Sequence, residues 1–210
     1  MTSTHRQSYR RTRVRVQSRG LAARLCIAVL TLAPGLALAG PFELGGLPVV
    51  QNFRLQPGDN LLALQGGHVR RYFFRDTTSY ALYTTEPMRS YAALSSASTP
   101  VRMVVTVLMK QFTAEQFHRS WREQFAQALS EQDRHTLAGE IESFLGAFET
   151  LNRGEQLSFD FIPGEGLRIS LRSKVKRVIP GDTFAQALLS VWLGPKCVDP
   201  ELRAALLDGR

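Results

Sequence analysis

Cysteine is scarce in these 210 residues, which hold only Cys26 and Cys197. That pair cannot build a disulfide framework or a thiolate metal site. Histidine is nearly as sparse. His5, His68, His118 and His135 stand singly, without cysteine or paired carboxylates at ligand spacing, so no metal site is expected. No Gly-x-Ser-x-Gly elbow occurs and Cys197 has no histidine near it in sequence, which removes the usual nucleophile signatures. Gly164-Glu165-Gly166 lacks the further glycine and the helix of a phosphate cradle, so no cofactor is expected either. Also missing is an apolar run long enough to span a bilayer. The longest, LCIAVLTLAPGLALA (25–39), is broken by Pro34-Gly35 and falls short of the roughly 20 residues a span needs.

What stands at the N-terminus is a basic head without a single acid. Residues 1–24 hold seven arginines, and the short apolar run that follows closes on Ala37-Leu38-Ala39. Basic head, apolar middle and small residues at −3 and −1 are what a signal peptidase reads. Residues 1–39 are therefore expected to be a signal peptide, and residues 40–210 one domain of an exported, periplasmic or otherwise extracytoplasmic protein, with no stable membrane anchor. Arg10-Arg11 hint at the twin-arginine route, but TRVRV follows where apolar residues belong. Cys26 sits too early, after Arg24-Leu25, for a lipoprotein anchor. The net charge of +8 falls to about +1 once the seven arginines leave. The alkaline pI of 10.1 thus belongs to the signal, and no nucleic-acid partner is expected. Cys197 would remain alone, so stability must come from packing.

Along residues 40–210 the periodicity changes twice. VVQNFRL reads as a strand, PGDN as a turn and LLALQ (61–65) as a second strand closed by Gly66-Gly67. VRRYFF and SYALYT follow as β-rich segments, and VRMVVTVLM (101–109) is apolar on both faces, as a central strand would be. The period then becomes 3.6. Thr113-Ala-Glu-Gln116 is a capping box ahead of Phe117, Trp121, Phe125 and Leu129, and a second helical stripe carries Ile141, Phe144, Leu145, Phe148 and Leu151. Strand alternation returns in QLSFDFIP and LRISL, joined at Gly164-Glu165-Gly166, with KVKRVI continuing the meander. Pro180-Gly181-Asp182 starts a helix with Phe184, Leu188, Val191 and Trp192 inward, and Asp199-Pro200 starts a last one. This order predicts an α+β fold, an antiparallel sheet packed against a layer of helices.

Arg70 and Arg71 are the unusual residues. Neighbours on a strand point to opposite faces, so one of them should reach solvent and the other the helix side. The inward one either pairs with a carboxylate such as Glu142 or Asp160, or offers its fork to an anionic ligand.

Several segments around these arginines resemble the chalcone isomerase family, and more closely its bacterial exported, chalcone isomerase-like branch. GGHVRRYFFRDTTSYALYT is similar to the family's Gly-x-Gly-x-Arg strand and the strand ending in Leu-Tyr, and TAEQFHRSWREQF to its central helix. GDTFAQALLSVWLGPKCVDPELRAALL is similar to its C-terminal helices and the turn between them. With FIPGEGLRISL, the likeness spans about residues 48–208. It implies that the family's ligand arginine falls on Arg70 and its threonine on Thr78, with Thr77 one register away. The enzyme's tyrosine falls on Phe117, its asparagine on Gln124 and its helical Ser/Thr on Val191. Phe117 and Val191 donate nothing, so the full set for isomerisation is missing.

Relatives without that set bind fatty acids, holding the carboxylate with the arginine. The resemblance therefore implies a non-catalytic binder of a small acidic lipid or related amphiphile, with Arg70, Tyr72, Thr78, Phe117, Trp121, Gln124, Val191 and Trp192 around the ligand. A flavonoid-type isomerase (an intramolecular lyase) and a structural or interaction role in the cell envelope are the alternatives. A polar cleft holding Arg70, Tyr72 and Thr78 favours chemistry, a long apolar cleft with Arg70 at one end favours lipid, and a filled cleft favours the third. Oligomeric state is not set by the sequence.

Overall fold

The computed structural model describes residues 42–209; the expected signal peptide lies outside the described residues. Short strands β1 (Glu43–Leu44), β2 (Leu47–Pro48) and β3 (Asn52–Phe53) lead into two long ones, β4 (Leu62–Tyr72) and β5 (Arg75–Thr84). Helix α1 (Tyr91–Ser95), strand β6 (Val101–Val107) and the short β7 (Gln111–Phe112) follow. The helical middle is α2 (Ala114–Ala128), α3 (Glu131–Thr136) and α4 (Ala138–Leu145). After β8 (Leu151–Asn152) comes the meander β9 (Gln156–Ile162), β10 (Gly166–Leu171) and β11 (Lys174–Pro180), then α5 (Asp182–Leu193) and α6 (Pro200–Asp208). The fold is α+β, as expected.

Seven strands form one antiparallel sheet in the order β11-β10-β9-β6-β5-β4-β3. The chain thus returns after its helices to set β9 against β6, which makes β6 the central strand. This explains its apolar character on both faces. Its helix-side residues Val101, Met103, Val105 and Val107 join the main core with Phe125, Phe144, Phe159, Phe184 and Trp192. On the opposite face a smaller cluster of Leu44, Leu62, Ala81, Tyr83 and Val104 is covered by the N-terminal segment. There the Arg102 guanidinium donates two hydrogen bonds to buried Asp160, at 2.6 and 2.9 Å, and lies 4.8 Å from the Phe53 ring centre. Burial pushes the Tyr83 hydroxyl up to about 12, with nearby Arg102 pulling the other way; the hydroxyl donates to Val50 O.

Local signals explain the helices. Thr113 Oγ1 accepts from Gln116 N and Gln116 Oε1 accepts from Thr113 N, so the capping box forms as read. Asp199 caps α6, with Pro200 in its first turn.

Four readings are corrected. VVQNFRL pairs only at Asn52–Phe53, because the rest packs irregularly over the outer face of the sheet. Gly66-Gly67 do not end a strand. The chain runs through them as β4 because α6 crosses directly above: a Cβ at Gly66 would press on Ala205 O and stand 2.8 Å from Leu206 O. The stripe from Ile141 to Leu151 is not one helix, since α4 stops at Leu145 and Leu151 belongs to β8. Finally, VRRYFF does not stay extended. Phe73 and Phe74, at φ 45° and 62°, are the turn between β4 and β5, a left-handed backbone that costs about 1–2 kcal/mol per non-glycine residue.

Candidate functional site

Alternation along β5 turns Thr78 and Tyr80 to the helix side, and pairing sets Arg70 beside Thr78 on β4 and Val105 beside Tyr80 on β6. On β9, Leu157 and Phe159 complete the floor. Helix α2 forms the roof with Gln116, Phe117, Ser120, Trp121 and Gln124, which recur at helical spacing. Between floor and roof lies a cleft of about 510 Å³, within the roughly 300–1,000 Å³ typical of small-molecule sites.

The cleft has a chemical gradient. Crossing the sheet from β4 to β9, its floor passes from the arginines through the Thr78 and Tyr80 hydroxyls to Val105, Leu157 and Phe159, while α2 adds Arg119 and Glu123 to the roof. Phe117 is stacked on Phe148 and tilted against Phe112, with ring centres 5.1 and 4.1 Å apart, so aromatic packing backs this wall. Trp121 packs edge-on against Phe144, Phe159 and Trp192.

Arg70 is half-buried, its side chain 29% exposed. Its ion pair is with Asp199, Nε to Oδ2 at 3.6 Å, rather than with Glu142 or Asp160. Glu142 instead pairs with Arg122 at the surface, and Asp160 is held by Arg102 on the other face. Among the described residues no protein acceptor takes a hydrogen bond from the Arg70 guanidinium, so its donors remain available to an anion.

Arg71 is the arginine that reaches solvent, its side chain 69% exposed. Arg70 pairs with Thr78 but Arg71 with Asp76, which leaves Thr77 as the extra residue of a bulge. The bulge sets Thr77 and Thr78 together opposite Arg70, and Arg71 borders the cleft only at its exposed rim, with its Nε 2.8 Å from Asp76 Oδ1. Thr77 also borders it, but its hydroxyl donates to Arg70 O at 3.0 Å.

Of the other expected residues, Tyr72, Thr78, Phe117, Trp121 and Gln124 line the cleft, Tyr72 from the exposed rim. Val191 and Trp192 do not. They sit on α5, which packs over β10 beyond the β9 margin, and both are fully buried in the core. Trp192 supports the wall from behind through Trp121 and Tyr80.

The sequence reading missed Tyr80, whose signal was the two-residue step from Thr78. It also missed Asp199 as the partner of Arg70, for which no local signal exists. One cleft residue carries a buried, unpaired oxygen. Gln124 Nε2 donates to Ser120 O and Ser120 Oγ, whereas the buried Gln124 Oε1 has no partner among the described residues.

Comparison with known proteins agrees with this architecture. A family model described as chalcone isomerase-like matches residues 43–208. The structure is similar to that of a fatty-acid binding protein of Arabidopsis thaliana at 13% identity, with a TM-score of 0.64. The match covers 80% of this chain and 95% of that one, and at such identity it is a likeness of fold. No curated protein matches the sequence.

Proposed function

The chain belongs to the chalcone isomerase-like family, and from that premise we propose that it binds a fatty-acid-like acidic lipid, or a related amphiphile, without transforming it. The observation that carries this reading is the graded cleft. On the sheet floor a guanidinium with free donors borders one side, and aliphatic and aromatic side chains line the other. The carboxylate would meet Arg70, with Thr78 and Tyr80 as supporting hydroxyls, and the tail would lie under Phe117 and Trp121. That a structural neighbour is a fatty-acid binding protein supports the same reading.

A charge-assisted contact to the carboxylate contributes roughly 1.5–3 kcal/mol. Each buried methylene adds about 0.8 kcal/mol. Affinity should therefore rise with chain length until the cleft is full. Calorimetric titration of acids and the matching alcohols tests this, with Arg70→Ala expected to weaken the acids alone. The N-terminal pattern motivates a further part of the proposal, that the protein meets its ligand outside the cytoplasm. N-terminal sequencing of the exported protein should read from Gly40, and an intact Met1 or Thr2 would contradict it.

A further inference from the structure

The turn between β4 and β5 presents three large aromatic side chains to solvent. Tyr72, Phe73 and Phe74 are 69%, 78% and 100% exposed. Tyr72 packs edge-on against Phe73, ring centres 4.7 Å apart, so the tip is an aromatic cluster. The fold does not call for these residues. A two-residue turn with both central φ values positive favours Asn-Gly, and phenylalanine is among the poorer choices. The other hairpin with this geometry, Arg172-Ser173, shows the contrast: its unfavourable arginine is held by Glu149 and Glu155. Phe74, wholly exposed, has no such compensation in the fold.

Cations flank the aromatics. Arg71 precedes them and pairs with Asp76, while Arg75 follows them and makes no ion pair among the described residues. An aromatic cluster with flanking arginines matches the layering of a bilayer surface, where rings settle at the headgroup level and arginines meet anionic phosphates. The shape agrees, since a convex tip suits a fluid layer that closes around it. The position agrees as well, because Arg70, Arg71 and Tyr72 of the same hairpin border the cleft.

We propose that this tip docks the protein onto an anionic lipid surface. Phe73 and Phe74 enter the acyl boundary, Arg71 and Arg75 sit at the phosphates, and the cleft is brought to the membrane. The docking rests on the tip and not on which ligand the cleft holds.

The test compares wild type with the double variant Phe73→Asn/Phe74→Gly on phosphatidylcholine vesicles, with and without phosphatidylglycerol. Wild type should partition onto the vesicles, more strongly with the anionic lipid, and the variant about tenfold less or weaker. Asn-Gly suits the turn, so the variant should melt no lower than wild type. Its titration with free fatty acid in solution should be unchanged, which separates this proposal from the binding one. A local readout guards against attachment by another segment. In Phe74→Trp the introduced indole should shift to the blue and be quenched by brominated acyl chains. Equal vesicle binding by wild type and the double variant, or an indole that brominated lipid does not quench, overturns the proposal. So does a tip-dependent dimer without lipid in sedimentation, which would assign the tip to a second copy of the chain.

Discussion

One carboxylate joins the last helix to the candidate ligand site: Asp199 Oδ1 accepts the Leu202 N–H at 3.0 Å, while Oδ2 stands 3.6 Å from Arg70 Nε. The same residue caps α6 and partly neutralises the arginine that faces the cleft. Asp199→Asn separates the two roles, because asparagine caps a helix as well as aspartate does. Two unit charges about 4 Å apart in water interact by roughly 1 kcal/mol, so removing the competing charge should raise affinity for acids about threefold to fivefold. Alcohols should be unaffected. Calorimetry on both ligand classes checks this, and Asp199→Ala should in addition lose about 1 kcal/mol of stability with the cap.

Gly66 sets how closely α6 approaches β4. Its missing side chain leaves room for the Ala205 and Leu206 carbonyls, and neighbouring Gln65 donates to Leu206 O at 2.9 Å. Backbone cannot swing aside as a flexible side chain would. Gly66→Ala should therefore cost about 1–3 kcal/mol in urea denaturation, by overpacking. Through the displaced Asp199 it should also alter acid binding. An unchanged denaturation midpoint would show that α6 is free to shift.

Acid should weaken the fold in a defined window. Glu155 is held down to about 2, first by hydrogen bonds from Arg172 and then by the Asn152 backbone. Glu149 is lowered by Lys176 first and Arg172 second. Both carboxyls bind protons less readily folded than unfolded, so their stabilisation is complete above the ordinary value of 4.5 and is lost as pH falls toward 2. Thermal melts from neutral pH down to 2 should show this loss. In Arg172→Gly, which suits the φ of 49° at that position, the acid-dependent part should shrink.

Cyclisation of a 2′-hydroxychalcone should proceed at the uncatalysed rate. Phe117 donates nothing, and Val191 lies outside the cleft altogether. Arg70, Thr78 and Tyr80 remain as polar groups of the floor, without the hydroxyl that the resemblance puts at Phe117. Losing one preorganised donor costs roughly 2.7–4 kcal/mol of transition-state stabilisation. Stereoselective product formation that disappears in Arg70→Ala would contradict this.

Sequence periodicity reached the cleft wherever its residues obey a local repeat. Arg70 and Thr78 follow from strand alternation and the resemblance, and Phe117, Trp121 and Gln124 from helical spacing on α2. Features set by distant partners were not legible. Gly66-Gly67 read as a strand end because the helix that needs them lies some 140 residues downstream. Phe73-Phe74 read as strand because aromatic propensity is local, while the turn is fixed by the pairing of Tyr72 with Arg75. The bulge at Thr77 puts Thr77 and Thr78 together opposite Arg70, which strict alternation along β5 does not foretell. Asp160 was a plausible partner for an arginine on β4, but the sheet places it on the other face, beside an Arg102 hidden in an apolar run.

The central claim is that Arg70 holds the head group of an acidic lipid. Calorimetric titration of fatty acids of increasing length against wild type, Arg70→Ala and Arg71→Ala tests it most directly. Affinity should rise with length and then level off. Arg70→Ala should weaken every acid by a similar factor, about tenfold to a hundredfold, while Arg71→Ala, at the exposed rim and paired with Asp76, changes little. No binding by wild type, or equal losses in the two variants, would contradict the account.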